Sequence, residues 1–219
     1  MSHTAVVTGS SRGIGAACAA VLAGAGFRVV TVARSEGDYR CDLTDPAAWD
    51  AVAHRILAER GVPEVVVSNA GAYIVKPLAE TSVEEFRSQV ALNLTASFAV
   101  ARAFLPAMGA AGRGSYISIG SVADHTGFAE NSAYAASKYG LRGLHETLVD
   151  EYRGSGVRLT LISPGPVDTT LWDPIDPDTR EGFTPRADML RPADVAEAVL
   201  FAATRPPHVH IDWLRLGPT

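Results

Sequence analysis

Eight residues near the start leave the backbone few options. Thr4–Thr8 (TAVVT) is a short β-branched run, and the stretch from Ile14 to Ala25 is rich in alanine. They are joined by Thr8-Gly9-Ser10-Ser11-Arg12-Gly13-Ile14-Gly15. β-Branched runs favour strands and alanine favours helix. The glycines let the chain turn tightly between the two and let a ligand approach the backbone closely. The helix start then presents free N–H groups and the positive end of its dipole, which suits a phosphate. The turn follows a strand and opens a helix, as nucleotide binding requires.

The rest of the chain repeats the alternation. Strands are expected at 28–33 (RVVTVA), 64–68 (EVVVS), 115–119 (SYISI), 157–162 (VRLTLI) and 210–216 (HIDWLRL). Helices are expected from Asp45-Pro46, from a Ser82 cap followed by Glu84 and Glu85, and over 92–108, 132–153 and 192–203. Asp is a good N-cap, Pro suits the first helical position, and acids suit the first turn. Strands separated by helices pair in parallel through right-handed crossovers. The expected fold is therefore α/β, a doubly wound parallel sheet of Rossmann type in a single domain over 1–219. Pro164 to Leu190 breaks the pattern, with prolines at 164, 166, 174, 177 and 185. A long irregular segment in a compact domain is commonly a functional loop, here a candidate substrate lid.

Composition narrows the partners. Net charge is −5 and no Lys/Arg stripe occurs, so neither nucleic acid nor an anionic membrane is expected. No apolar run reads as long enough to span a bilayer. Cys18 and Cys41 form no metal-type spacing and read as structural thiols; no metal is expected. Met1 runs almost directly into a strand with no leader pattern, which points to a cytoplasmic setting.

Tyr134 and Lys138 stand four apart, on one face of a helix. A free tyrosine has a pKa of about 10, too high for a base at neutral pH. A cation about 5 Å away, at an effective dielectric of about 20, favours phenolate by roughly 3 kcal/mol. Lys138 is therefore expected to lower Tyr134 and make it a usable acid and base. Ser121 ends a strand thirteen residues earlier, and Asn93 lies in a helix.

In order and spacing, the Thr-Gly-x-x-x-Gly-x-Gly turn, Asn69-Ala70-Gly71, Asn93, Ser121, Tyr134-x-x-x-Lys138 and Pro164-Gly165 resemble the short-chain dehydrogenase/reductase family. The resemblance implies an NADP(H)-dependent enzyme that interconverts a small-molecule carbonyl and alcohol. It implies that Ser121 steadies the substrate oxygen and Tyr134 transfers the proton. Lys138 would also hold the nicotinamide ribose, and Asn93 a water linking Lys138 to solvent. Gly9, Ser11, Arg12, Gly13, Ile14, Gly15, Asp42, Leu43, Asn69, Ala70, Gly71, Pro164, Gly165, Val167 and Thr169 would line the cofactor. Ala33 stands where NAD-preferring relatives carry an acid, and Arg34 follows it. Arg34 and Arg12 would take a 2′-phosphate. Ala123, Leu171 and Trp172 would meet substrate. Relatives pair the helices near 92–108 and 132–153 in a dimer, so a homodimer or homotetramer is expected, helped by Phe98, Phe104, Leu141, Leu144 and Leu148. Two other readings stay open: an idle NADP(H)-binding redox sensor, and another reaction on the same scaffold.

The likeness thins in places. Only Ser35–Arg40 crosses the gap where relatives place a helix, which leaves the adenine side open. Gly120 replaces a common serine, with little effect expected. Asp124 replaces a small residue and is expected to border the substrate pocket with His125. His125 reads as a solvated loop residue, or as an acid.

Overall fold

The computed structural model describes residues 3–219. Seven strands build one sheet in the order β3-β2-β1-β4-β5-β6-β7. They are β1 (Thr4–Thr8), β2 (Arg28–Ala33), β3 (Tyr39–Arg40), β4 (Val65–Ser68), β5 (Gly114–Ile119), β6 (Val157–Pro164) and β7 (Trp213–Leu216). Every pairing is parallel. Parallel sheets are covered on both faces, which is why these strands read as apolar runs rather than alternating ones. Strand order reverses between β1 and β4, and such a reversal opens a crevice at the strand C-termini.

The helices are α1 (Gly13–Gly24), α2 (Pro46–Arg60), α3 (Val83–Val90), α4 (Ala96–Ala110), α5 (Ser132–Glu151) and α6 (Pro192–Ala203). Trp49, Ile56, Phe104 and Met108 fill one face of the sheet, from α2 and α4. Leu22, Val195 and Val199 fill the other, from α1 and α6. The Asp45 carboxylate accepts from the Ala47 and Ala48 amides, and Ser82 with Glu85 closes a capping box.

Four features depart from the sequence reading. β3 has only two residues, too short to show a periodicity; it closes the sheet edge where the missing helix would begin. The last strand starts at Trp213, not at 210. Between β6 and α6, the 164–190 segment carries 3₁₀ turns at Thr170–Trp172, Pro177–Thr179 and Arg186–Asp188.

The fourth is that α3 and α4 form one continuous helix, Val83–Ala110, joined by a π-turn over Ala91–Thr95. That helix is long and apolar enough to cross a membrane, contrary to the sequence reading. Its buried residues, among them Val100, Phe104, Leu105 and Met108, pack into the core beside the sheet.

Candidate active site

The strand C-termini open into a cleft of about 1410 Å³, bordered by the glycine-rich turn, the ends of β2, β4 and β5, the start of α5 and the 164–190 segment. In the turn, Gly9 and Gly13 take positive φ (64° and 56°), which disfavours any side chain there. A Cβ on Gly9 would sit 2.8 Å from the Ala70 Cα, and one on Gly15 would collide with the Gly9 carbonyl. Asn69 clamps the turn: its Nδ2 donates to the Thr8 and Gly9 carbonyls at 3.0 and 3.2 Å. Its own amide donates to Thr8 Oγ1 at 3.0 Å. No side chain caps the start of α1, so its first N–H groups face the cleft free of side-chain partners.

Ser11, Arg12, Ile14, Ala33, Arg34, Asp42, Leu43, Ala70 and Gly71 line the same cleft. Asp42 is exposed and held locally: Oδ1 accepts from the Thr44 amide and hydroxyl, which holds its carboxyl below the usual range, with a smaller contribution from Arg34. Pro164, Gly165, Val167 and Thr169 border the opposite rim. The Val167 carbonyl accepts from Trp172 Nε1 at 3.0 Å, and a Cβ on Gly13 would stand 3.2 Å from the Thr169 methyl.

At the floor, Ser121, Tyr134 and Lys138 come together. Ser121 leaves the end of β5 and its Oγ accepts from the Ala123 amide. Lys138 is 5% exposed; its Nζ donates to the Ile119 carbonyl at 2.9 Å and lies 5.7 Å from the Tyr134 ring centre. Burial draws Lys138 down to about 8. Burial also pushes the Tyr134 phenol above its ordinary value, against a lowering pull from Ser121. The expected net lowering of Tyr134 does not appear in this structure: burial is the largest cause of its upward shift, and the Lys138 ammonium is engaged with a backbone carbonyl.

Asn93 sits in the π-turn, 1% exposed. Oδ1 accepts from the Ala72 amide, while Nδ2 donates to the Ala72 carbonyl and to Ser137 Oγ at 3.0 Å each. Its side chain thus ties the loop after β4 to α5, and its backbone carbonyl accepts from Ser97 Oγ. π-Turns collect at functional positions in helices.

The structure corrects the sequence reading around Ser121. Asp124 does not border the substrate pocket; it is wholly buried behind Ser121. His125 is no solvated loop residue: its side chain is 11% exposed and its Nδ1 lies 2.6 Å from Asp124 Oδ1. Nor is Gly120 neutral, since a Cβ there would collide with Asp124 Oδ2. Sequence reasoning also missed an aromatic wall. The Tyr73 ring meets Tyr134 edge-on at 4.7 Å and Trp172 at 5.1 Å, and Phe183 flanks Trp172 at 6.1 Å. Tyr73 follows Gly71 by two residues, so its place in the loop was the one available cue. Ala123 and Leu171 line the cleft beside this wall. Arg180 joins the 164–190 segment to Glu130 at 2.7 Å. Cys18 and Cys41 are free buried thiols, Cys18 pushed up to about 12 by burial. Among the described residues no cluster of metal-ligating side chains occurs.

Comparison with known proteins agrees with this geometry. The family model described as short chain dehydrogenase matches residues 3–180. The chain is 33% identical over 221 residues to D-threitol dehydrogenase of Mycolicibacterium smegmatis, covering 91% of this chain and 85% of that protein. It is 33% identical over 217 residues to the 3-oxoacyl-(acyl-carrier-protein) reductase of Escherichia coli, covering 91% and 89%. Among solved structures, a metagenomic short-chain oxidoreductase in complex with NADP superposes with a TM-score of 0.83 at 34% identity, covering 99% of this chain and 97% of that one. The glycine-rich turn, the cleft at the strand ends and the Ser121–Tyr134–Lys138 floor thus sit on a shared framework, and the chain belongs to the short-chain dehydrogenase/reductase family of oxidoreductases.

Proposed function

We propose that this chain is an NADP(H)-dependent oxidoreductase that interconverts an aldehyde or ketone and an alcohol, with Tyr134 as acid and base. The observation that carries the reading is the convergence of Ser121, Tyr134 and Lys138 at the floor of a cleft whose opposite wall is the glycine-rich turn. The residues present fit a dinucleotide: side-chain-free Gly9 and Gly15 let the turn fold tightly against Asn69 and Ala70, and the α1 amides above it lack a side-chain cap. Gly13, Ile14 and the α1 N-terminus would hold the pyrophosphate, and Arg12 and Arg34 the 2′-phosphate. Asp42 and Leu43 would border the adenine, and Lys138 and the Asn69–Gly71 loop the nicotinamide ribose. When bound, the nicotinamide supplies or accepts the hydride.

The chain's own residues do the remaining work. Ser121 orients the substrate oxygen as charge develops on it. Tyr134 donates its proton to that oxygen in reduction and removes it in oxidation. The Lys138 ammonium favours the phenolate left on Tyr134, and Asn93 fixes the loop and helix around it. Val167, Thr169, Leu171 and Trp172 would close the 164–190 segment over the substrate as a lid, with Arg180–Glu130 as its clasp. The reading extends to a homodimer or homotetramer, as the family resemblance implies.

The test is NADPH oxidation, followed at 340 nm, with a panel of aldehydes and ketones. Turnover with at least one carbonyl and none without is expected. Tight NADPH binding with no oxidation across the panel would overturn the reading.

A further inference from the structure

Among the described residues, two side chains with formal charge are buried: Lys138 at 5% exposure and Asp124 at none. A buried charge is costly unless it is paired and hydrogen-bonded. Lys138 has an evident use in the reading above. Asp124 has none, and a small residue there would spare the fold the cost of burying a carboxylate.

The contacts show where that carboxylate acts. Asp124 Oδ2 accepts from the Ser121 amide at 3.1 Å and from Ser163 Oγ at 2.5 Å, while Oδ1 meets His125 Nδ1 at 2.6 Å. Lys138 Nζ donates to the Ile119 carbonyl. Ile119 and Ser121 flank Gly120, so the two buried charges grip adjoining peptide groups at the end of β5. The absent side chain of Gly120 is what lets the carboxylate in. The other charged and titratable groups nearby are Tyr134 and Tyr73 on the cleft side and His125 behind. The His125 ring faces Trp213 at 5.3 Å, and Trp213 in turn carries the Arg142 and Arg215 guanidiniums on its ring at 4.4 and 5.4 Å. Trp213 Nε1 donates to Ser163 Oγ, completing the shell around Asp124.

We propose that Asp124 is a positioning residue: its buried carboxylate is the fixed counter-charge of the Lys138 ammonium and sets the seat of Ser121 through the Ser121 amide. The inference rests on the reading of Tyr134 and Lys138 as the acid/base pair. Two effects support it. Asp124 opposes the burial that draws Lys138 down to about 8. The same charge adds to the upward push on the Tyr134 phenol. Removing it should shift both groups toward lower pH.

The experiment measures two quantities against pH for the parent and Asp124→Asn: kcat/KM for reduction of an active carbonyl, and the NADPH dissociation constant by fluorescence. A buried carboxylate favours the charged form of Lys138 and disfavours that of Tyr134, so without it the alkaline fall of both curves should move down by about one unit or more. The acidic rise of alcohol oxidation, which needs Tyr134 deprotonated, should move down as well. His125→Asn keeps an amide beside Oδ1 and the carboxylate in place, and should leave the curves where they are. If Asp124→Asn does not fold, Asp124→Ala, which fits beside Gly120, takes its place with the same expected shift. Unshifted curves in a folded Asp124 variant would overturn the proposal, as would an equal shift in His125→Asn. The NADPH curve needs no turnover, so it separates failure of this inference from failure of the carbonyl–alcohol reading.

Discussion

At the scale of single residues, the predicted machinery turns on one transferable proton. Tyr134→Phe keeps the ring that packs on Tyr73 and removes the hydroxyl. Turnover should fall by about 10² to 10⁴-fold, the usual share of general acid–base catalysis, while NADPH still binds. Steady-state kinetics beside a binding titration checks this, and residual activity within tenfold of the parent would remove Tyr134 from the role. Residues such as Gly9, Asn69 and the Tyr134–Lys138 pair were legible in the sequence because each belongs to a short motif with a fixed neighbour. Asp124 was not. Its meaning depends on Ser163, 39 positions away, and on the missing side chain of Gly120. The sign of the Tyr134 shift was misread for a related reason: spacing gives the distance to a cation, while desolvation depends on everything packed around the phenol.

At the scale of elements, β2 and the short passage after it are expected to decide cofactor choice. Arg34 follows β2 directly, and Arg12 stands at the N-cap of α1. Each guanidinium–phosphate contact is worth about 1.5 to 3 kcal/mol, and exposure to solvent screens roughly half of it. NADPH should therefore be preferred by about tenfold to a few hundredfold in kcat/KM. The double variant Ala33→Asp/Arg34→Ala should reverse that order, because the acid repels the phosphate and accepts from a 2′-hydroxyl. Equal kcat/KM for the two cofactors in the parent would show that both arginines are plain surface charge. Strand and helix order was readable throughout this region, from the apolar runs of the strands and from the Asp45-Pro46 start of α2. The two-residue β3 was not, because so short a strand leaves no pattern. It is positioned from outside, by the Asp38 carboxylate that accepts from the Thr31 amide and hydroxyl.

At the scale of the whole molecule, some residues expected at a subunit contact turn out to serve the core. Phe104 and Leu141 are buried within the chain itself, so they cannot contribute to an interface. Phe98 remains 49% exposed on α4, and Tyr139 stands exposed on α5. If these helices pair between copies, Phe98→Asp should weaken association by at least about tenfold, or about 1.4 kcal/mol. Sedimentation would show a dimer or larger parent shifting toward monomer; a monomeric parent at micromolar concentration would end the proposal. The amphipathic pattern showed that these helices had more apolar surface than one face uses, but not how much of it the sheet would absorb. The π-turn within Val83–Ala110 has a further consequence. It takes up one surplus residue, so deleting one within it, Leu92 for example, would let Val83–Ala110 close into a regular α-helix with its two halves still facing as they do. Glu85, paired with Lys76 at 2.7 Å, and Phe104 in the core would keep their places, while Asn93 would be drawn off Ala72 and Ser137. The deletion should therefore lower turnover far more than it lowers the thermal midpoint, whereas Leu92→Ala, which keeps the count, should leave Asn93 seated; kinetics beside a melting curve checks both. The surplus residue thus belongs to the cleft and not to the spiral that carries it.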